Sequence, residues 1–155
     1  MKRRTLITAG AALALPAAAL AQQSTVLPPS VLAPNPQEFR RIMAEFTRGA
    51  VTQAHGLELD VPVLADNPSG VPIKVKVEEP MTAQDWCEEI IVLADLNPAP
   101  LACRMHFTPA AGIAEASVRA RLSQSQTIHA LARMKSGRIL TAKQAVTVAA
   151  SGCGM

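Results

Sequence analysis

Twice in this chain the side chains fall into strict alternation, and no other feature narrows the choice of fold as much. Ile73, Val75 and Val77 are apolar while Lys74, Lys76 and Glu78 between and after them are charged. Ala116, Val118, Ala120 and Leu122 alternate in the same way with Glu115, Ser117, Arg119 and Arg121. Successive side chains of a β-strand leave opposite faces, so this two-residue period marks strands with one buried and one wet face. Further strands are predicted from Leu57 to Val61, Cys87 to Asp95, Cys103 to Thr108, Thr127 to Met134 and Arg138 to Ala149. Between them stand turn signals such as Asn67-Pro68-Ser69-Gly70, Asn97-Pro98 and Ser136-Gly137.

Seven short strands with regular turns predict an all-β fold, a β-sandwich of immunoglobulin-like type. The 155 residues, 49% of them hydrophobic, suffice for one such domain and exclude two large ones. One strand breaks the alternation: Ile90, Ile91, Val92, Leu93 and Ala94 are apolar on both faces. Such a strand is covered on its outer side by another element of the chain or by a second protein. A partner docked on this apolar sheet face is one expectation, and the N-terminal helix is the other.

That helix is the one clear interruption of the β pattern. Asn35 is placed as its N-cap and Pro36 at its first position, with Phe39, Ile42, Met43 and Phe46 on one face and Gly49 as its stop. Its apolar stripe is read as a surface docked on the domain's own core, with use as a partner-binding helix as the alternative. Ahead of it, Pro28, Pro29, Pro34 and Pro36 make residues 22–36 an extended arm.

Charge needs its positions before it means anything. The sequence pI near 9.0 suggests a polyanionic partner. Yet Lys2, Arg3 and Arg4 stand together before an apolar stretch, Leu6 to Ala19, which leads into Ala19-Leu20-Ala21. A basic start, a short apolar run and a small-residue cleavage site are the layout of an export signal. We place the signal at residues 1–21 and the mature start at Gln22. The paired arginines before Thr5, Leu6 and Ile7 resemble a twin-arginine signal, with an ordinary export signal as the alternative. Either leads to an oxidising compartment, which makes the expected location periplasmic. Without the basic trio the fifteen Lys and Arg fall to twelve, equal to the twelve Asp and Glu. No cysteine follows the cleavage site, so no membrane anchor is expected. Aromatic residues are 3% of the chain, with one Trp and no Tyr, which leaves little for stacking on nucleic acid.

No carboxylate pair, nucleophile elbow or phosphate-binding glycine loop is recognisable, and His55, His106 and His129 lie on separate elements. The chain is therefore read as no enzyme on its own, with no catalytic residue and no cofactor. Cys103-Arg104-Met105-His106 offers soft ligands for copper, but in a strand Cys103 and Met105 face one side and His106 the other. A core-facing Cys/Met pair is expected there and no metal site.

Three cysteines remain in the mature chain: Cys87, Cys103 and Cys153. An odd number in an oxidising compartment leaves at least one unpaired within the monomer. Cys153 lies in Ser151-Gly152-Cys153-Gly154-Met155, past the last strand. Its neighbouring glycines free the backbone to bend, and from Ala149 the sulfur reaches at most about 13–14 Å at ~3.3–3.6 Å per residue. The tail, residues 150–155, is read as flexible and as a covalent attachment point offered to other proteins. An intermolecular disulfide of a secreted interaction module is the alternative use of that thiol.

The residues resemble those of the SoxY family, sulfur-carrying subunits of bacterial thiosulfate oxidation. The likeness runs from about Phe39 to Met155. It is carried by Phe46-Thr47-Arg48-Gly49, Glu79-Pro80-Met81-Thr82, Asn97-Pro98-Ala99-Pro100 and His106-Phe107-Thr108-Pro109. Arg119-Ala120-Arg121-Leu122, Met134-Lys135-Ser136-Gly137 and, above all, Gly152-Cys153-Gly154 extend it. The resemblance implies an immunoglobulin-like domain at residues 37–149, a SoxZ-like subunit as heterodimer partner, and covalent carriage of sulfur on Cys153. It implies that a SoxAX-like haem enzyme joins thiosulfate to that sulfur, a SoxB-like dimanganese hydrolase releases sulfate, and a SoxCD-like enzyme takes the remaining sulfur where the pathway allows. The family tail ends Gly-Gly-Cys-Gly-Gly, so Ser151 and Met155 are departures here. Cys87 and Cys103 are not part of that motif, and a simple hairpin through Asn97-Pro98 does not set them opposite each other. The tail carries no Lys, Arg or His to lower the Cys153 pKa, so its thiol is expected to be sluggish until a partner site activates it.

Overall fold

The structure is a computed structural model and describes residues 32–149. The expectations for the export signal, for most of the arm and for the tail with Ser151, Gly152, Cys153, Gly154 and Met155 lie outside the described residues.

The helix forms where its caps direct it. Helix α1 spans Pro36–Thr47, and the Asn35 side chain accepts the Glu38 N–H at 3.1 Å. It ends one residue before the expected glycine: Arg48 takes the left-handed conformation, φ 50°, and its N–H closes on the Ala44 carbonyl. Gly49 follows at φ 78° and completes the turn. On the wet face Arg41 bridges Glu38 and Glu45.

Among the described residues nine strands make two sheets, with two-residue strands β1 (Thr52–Gln53) and β3 (Leu64–Ala65) among them. The seven expected strands are β2 (Leu57–Asp60), β4 (Val71–Val77), β5 (Cys87–Ala94), β6 (Leu101–His106), β7 (Glu115–Ala120), β8 (Gln126–Met134) and β9 (Ile139–Val148). Strand β6 begins two residues earlier than its sequence suggested. The larger sheet runs β1-β9-β8-β5-β6, with β3 also paired to β9, and the smaller runs β2-β4-β7. β1 and β3 lie parallel to β9 and clip the two ends of its outer edge, at Ile139–Leu140 and at Thr147–Val148. The chain between them crosses to the small sheet as β2, which pairs with β4. The architecture is an immunoglobulin-like β-sandwich with one helix.

Two separate apolar cores follow from this layering. Between the sheets, Val71, Ile73, Val75 and Val77 of β4 pack with Ile90 and Val92 of β5 and with Ile128 and Met134 of β8. On the outer side of the large sheet, Ile42 and Phe46 of α1 pack on Ile91, Leu93, Leu131 and Ile139. The doubly apolar strand β5 is thus covered from outside by the chain's own helix. This corrects the expectation that a partner subunit docks on that sheet face: α1 buries Ile91 and Leu93 to 0% exposure. No helix among the described residues is long and apolar enough to cross a membrane.

A buried ion cluster joins helix and sheet. Glu89 of β5, 5% exposed, receives Arg104 of β6 and, at 3.0 Å, Arg133 of β8. The Arg133 guanidinium also lies over the Phe46 ring, 4.3 Å from its centroid.

Candidate functional site at the end of the last strand

The attachment point read from the sequence, Cys153, lies beyond the described residues, but the structure fixes the ground from which the tail departs. Strand β9 is held to its last turn. The Thr147 N–H donates to the Val63 carbonyl at 2.8 Å and the Ala149 N–H to the Ala65 carbonyl at 3.0 Å. From the other side the Val148 N–H donates to Ser125 Oγ at 2.9 Å. Ala149 is therefore a fixed base.

A groove of about 1030 Å3 opens at this end of the sandwich, with Val148 and Ala149 in its wall. The turn after β5 builds its floor through Asn97. Asn97 Nδ2 donates to the Arg121 carbonyl at 2.8 Å, while its Oδ1 accepts the Ser123 N–H at 3.0 Å and Gln126 Nε2 at 2.8 Å. Gln126, 6% exposed, uses its own carbonyl to accept the Leu96 N–H at 2.9 Å. Each polar atom of this buried amide is thus paired, which holds three connecting segments in one register. Arg119 and Arg121 lie in the groove's lining and are solvent-exposed, with Arg119 Nη1 donating to the Gly70 carbonyl at 3.3 Å. Reading the tail by itself found no cation near Cys153. The fold sets two arginines in the lining of the groove that Val148 and Ala149 also line, and only their place on the polar side of an alternating strand hinted at it.

The other two cysteines are of a different kind. Both are free. Cys87 is wholly buried, its thiol donates to the Glu89 carbonyl at 3.6 Å, and desolvation pushes its pKa up to about 12. Cys103 packs against the core and burial raises its pKa too. Cys103 stands opposite Val92, whereas Cys87 lies at the far end of β5 beyond Glu89, so no disulfide joins them.

Strand geometry also decides the proposed soft-ligand cluster. Cys103 and Met105 turn toward the core and His106 is exposed, as alternation requires. Among the described residues no three His, Cys, Asp or Glu side chains are grouped as metal ligands. The histidines stay apart: His129 meets the Phe39 ring edge-on at 5.1 Å and lies 3.7 Å from Asp95, and His55 is exposed in a bend before β2.

Four of the segments that carried the resemblance meet in two clusters. Asn97-Pro98 and Arg121-Leu122 meet at the groove. In the other cluster Arg138 holds Glu79 with two hydrogen bonds, at 2.8 and 2.5 Å, and reaches Asp85 at 3.0 Å. Asp85 in turn accepts the Ser136 N–H at 2.9 Å.

Comparison with known proteins gives a concordant result. The family model described as "Sulfur oxidation protein SoxY" matches residues 42–153. Among solved structures, the sulfur carrier protein SoxY from Chlorobium limicola f thiosulfatophilum aligns with a TM-score of 0.61 at 18% identity, covering 75% of this chain and 100% of that one. A superoxide reductase (neelaredoxin) from Ignicoccus hospitalis aligns with a TM-score of 0.54 at 17% identity over 61% of this chain and 80% of its own. A putative superoxide reductase from Thermotoga maritima gives 0.51 at 20%, over 68% and 91%. At these identities the likenesses are of fold. A search of curated proteins finds no match.

Proposed function

Since the chain belongs to the SoxY family of sulfur oxidation proteins, we propose that it is a periplasmic sulfur carrier that holds sulfur intermediates on Cys153 and presents them to separate enzymes. One observation carries the reading: the family match runs to residue 153, itself a cysteine set between two glycines in the sequence. Cys87, wholly buried, and Cys103, half-buried against the core, both have raised pKa values and are poor nucleophiles at neutral pH.

The chemistry asked of the chain is modest. The Cys153 thiolate and thiosulfate lose two electrons to an external haem enzyme and form an S–S bond, giving a cysteine S-thiosulfonate. Water then attacks the terminal sulfonate in a hydrolase, sulfate leaves, and a persulfide remains on Cys153. The carrier contributes a thiol and a fixed base at Ala149, and its SoxZ-like, SoxAX-like, SoxB-like and SoxCD-like partners contribute the rest. The chain itself is the carrier and not the catalyst.

Intact and tail-peptide mass spectrometry of protein purified without reductant from thiosulfate-oxidising cells tests this, beside a Cys153→Ser control. Sulfur or sulfonate additions confined to Cys153 are expected. Free thiol only, or a disulfide-linked homodimer through Cys153, would overturn the carrier reading in favour of an interaction module.

A further inference from the structure

The groove beside the end of β9 holds two cations and no acid. Arg119 and Arg121 line it and are exposed, and no Asp or Glu is among its lining residues. The arginine ion pairs among the described residues belong to Arg41, Arg104, Arg133 and Arg138 instead. Arg119 donates to the Gly70 carbonyl at 3.3 Å, a neutral acceptor that leaves its charge uncompensated. All twelve Asp and Glu lie between Glu38 and Glu115, within the described residues, so no further acidic side chain of this chain exists to neutralise the pair. Like charges in a cleft focus their field outward and draw in an anion.

Spacing and size narrow what that anion is. Exposed and buried residues alternate from Arg119 through Ser123, so the two arginines stand on one face of an extended backbone, two residues apart. At ~3.3–3.4 Å per residue that separation is about 7 Å, the repeat of alternate side chains in any extended peptide. Carboxylates at alternate positions of such a peptide match it, and guanidinium binds carboxylate with paired hydrogen bonds. At about 1030 Å3 the groove is at the upper end of the ~300–1,000 Å3 usual for ligand pockets, far more than one small oxyanion fills. Pro68, Pro98 and Ala99 in its lining offer apolar contact to the residues between the acids. The Asn97 hydrogen bonds to Arg121, Ser123 and Gln126 hold the walls in place beforehand, which lowers the cost of docking.

We propose that this groove is the docking site for an extended acidic segment of a partner protein, with carboxylates at alternate positions meeting Arg119 and Arg121. The surface goes beyond the carrier reading and does not depend on it.

Titration of the reduced chain of residues 22–155, followed by amide chemical shifts, tests it with the capped peptide Ala-Glu-Val-Glu-Val-Glu-Ala as the probe. Shifts are expected at the amides of residues 119–125, with an affinity that falls as salt is added. Arg119→Gln/Arg121→Gln should weaken binding about fivefold or more. Arg40→Gln/Lys143→Gln removes the same charge from exposed side chains outside the groove and should change binding far less. Amides of central strand β8 should keep their positions in every variant. The proposal is overturned if millimolar peptide moves none of the groove amides, or if the control variant weakens binding as much. It is likewise overturned if sulfate, or an isomer of the peptide with its Glu residues adjacent, binds there as tightly, which would make the groove a general anion site. Sulfur loading of Cys153 is a separate readout, so failure of one reading leaves the other standing.

Discussion

At the scale of single residues, three cysteines of one chemical type are set apart by where the fold puts them. Cys87 and Cys103 are packed thiols, so brief alkylation of the native protein at neutral pH should modify Cys153 alone, and denaturation should release the other two. Peptide mass mapping before and after unfolding checks this. Glu89 is the opposite case, a buried charge whose partners come from two neighbouring strands. Removing it as Glu89→Leu leaves Arg133 without its ion pair against Phe46, and a loss of about 2 kcal/mol is expected, below the ~3–5 kcal/mol of a fully buried pair because both arginines keep some solvent. Urea unfolding measures it. The sequence singles out Cys153 by its flanking glycines, and that reading lies outside the described residues. The Glu89 cluster was not legible in the sequence, because Arg104 and Arg133 become its neighbours only when β6 and β8 flank β5.

At the scale of elements, periodicity was enough for the seven long strands and for the helix, whose cap and first proline lie where the sequence put them. Two-residue strands carry no period, which is why β1 and β3 went unseen. The outer cover of β5 was undecidable from the chain alone, since a helix and a partner subunit bury the same side chains. The structure assigns that cover to α1, and Phe46 at 2% exposure is its anchor. Phe46→Ala should destabilise the domain by about 3–4 kcal/mol through lost burial and a cavity. Asn35→Ala, which removes the cap to Glu38, should cost about 1 kcal/mol. Both are read from urea midpoints at constant m, and the ordering Phe46 over Asn35 is the sharper expectation.

For the whole molecule, acid should loosen the domain in a defined order. Burial lowers the His129 pKa below its ordinary value, against the partial opposition of Asp95. The unfolded chain then binds the proton first as pH falls through the middle sixes, so His129's contribution is intact above that range and is lost as pH drops toward its folded pKa. His129→Gln should flatten this part of the stability profile. Further down, the Arg138 hydrogen bonds hold the Glu79 pKa below the usual carboxylate range. That contribution is present above the ordinary Glu range and fades as pH falls through the lowered value, and Arg138→Ala should remove it. Thermal unfolding from pH 8 to pH 3 separates the two.

The clips on β9 also give the molecule a sidedness toward aggregation. An open sheet edge is a template for further strands, and the ten residues of β9 would have offered a long one. β1 and β3 cap both ends of that edge. In the large sheet this leaves β6 as the edge strand at the far side, only six residues long, with the charged Arg104 and the exposed His106 on its wet face. On its β6 side the large sheet thus meets neighbouring molecules through a short, charged margin, which disfavours strand-by-strand extension of that sheet.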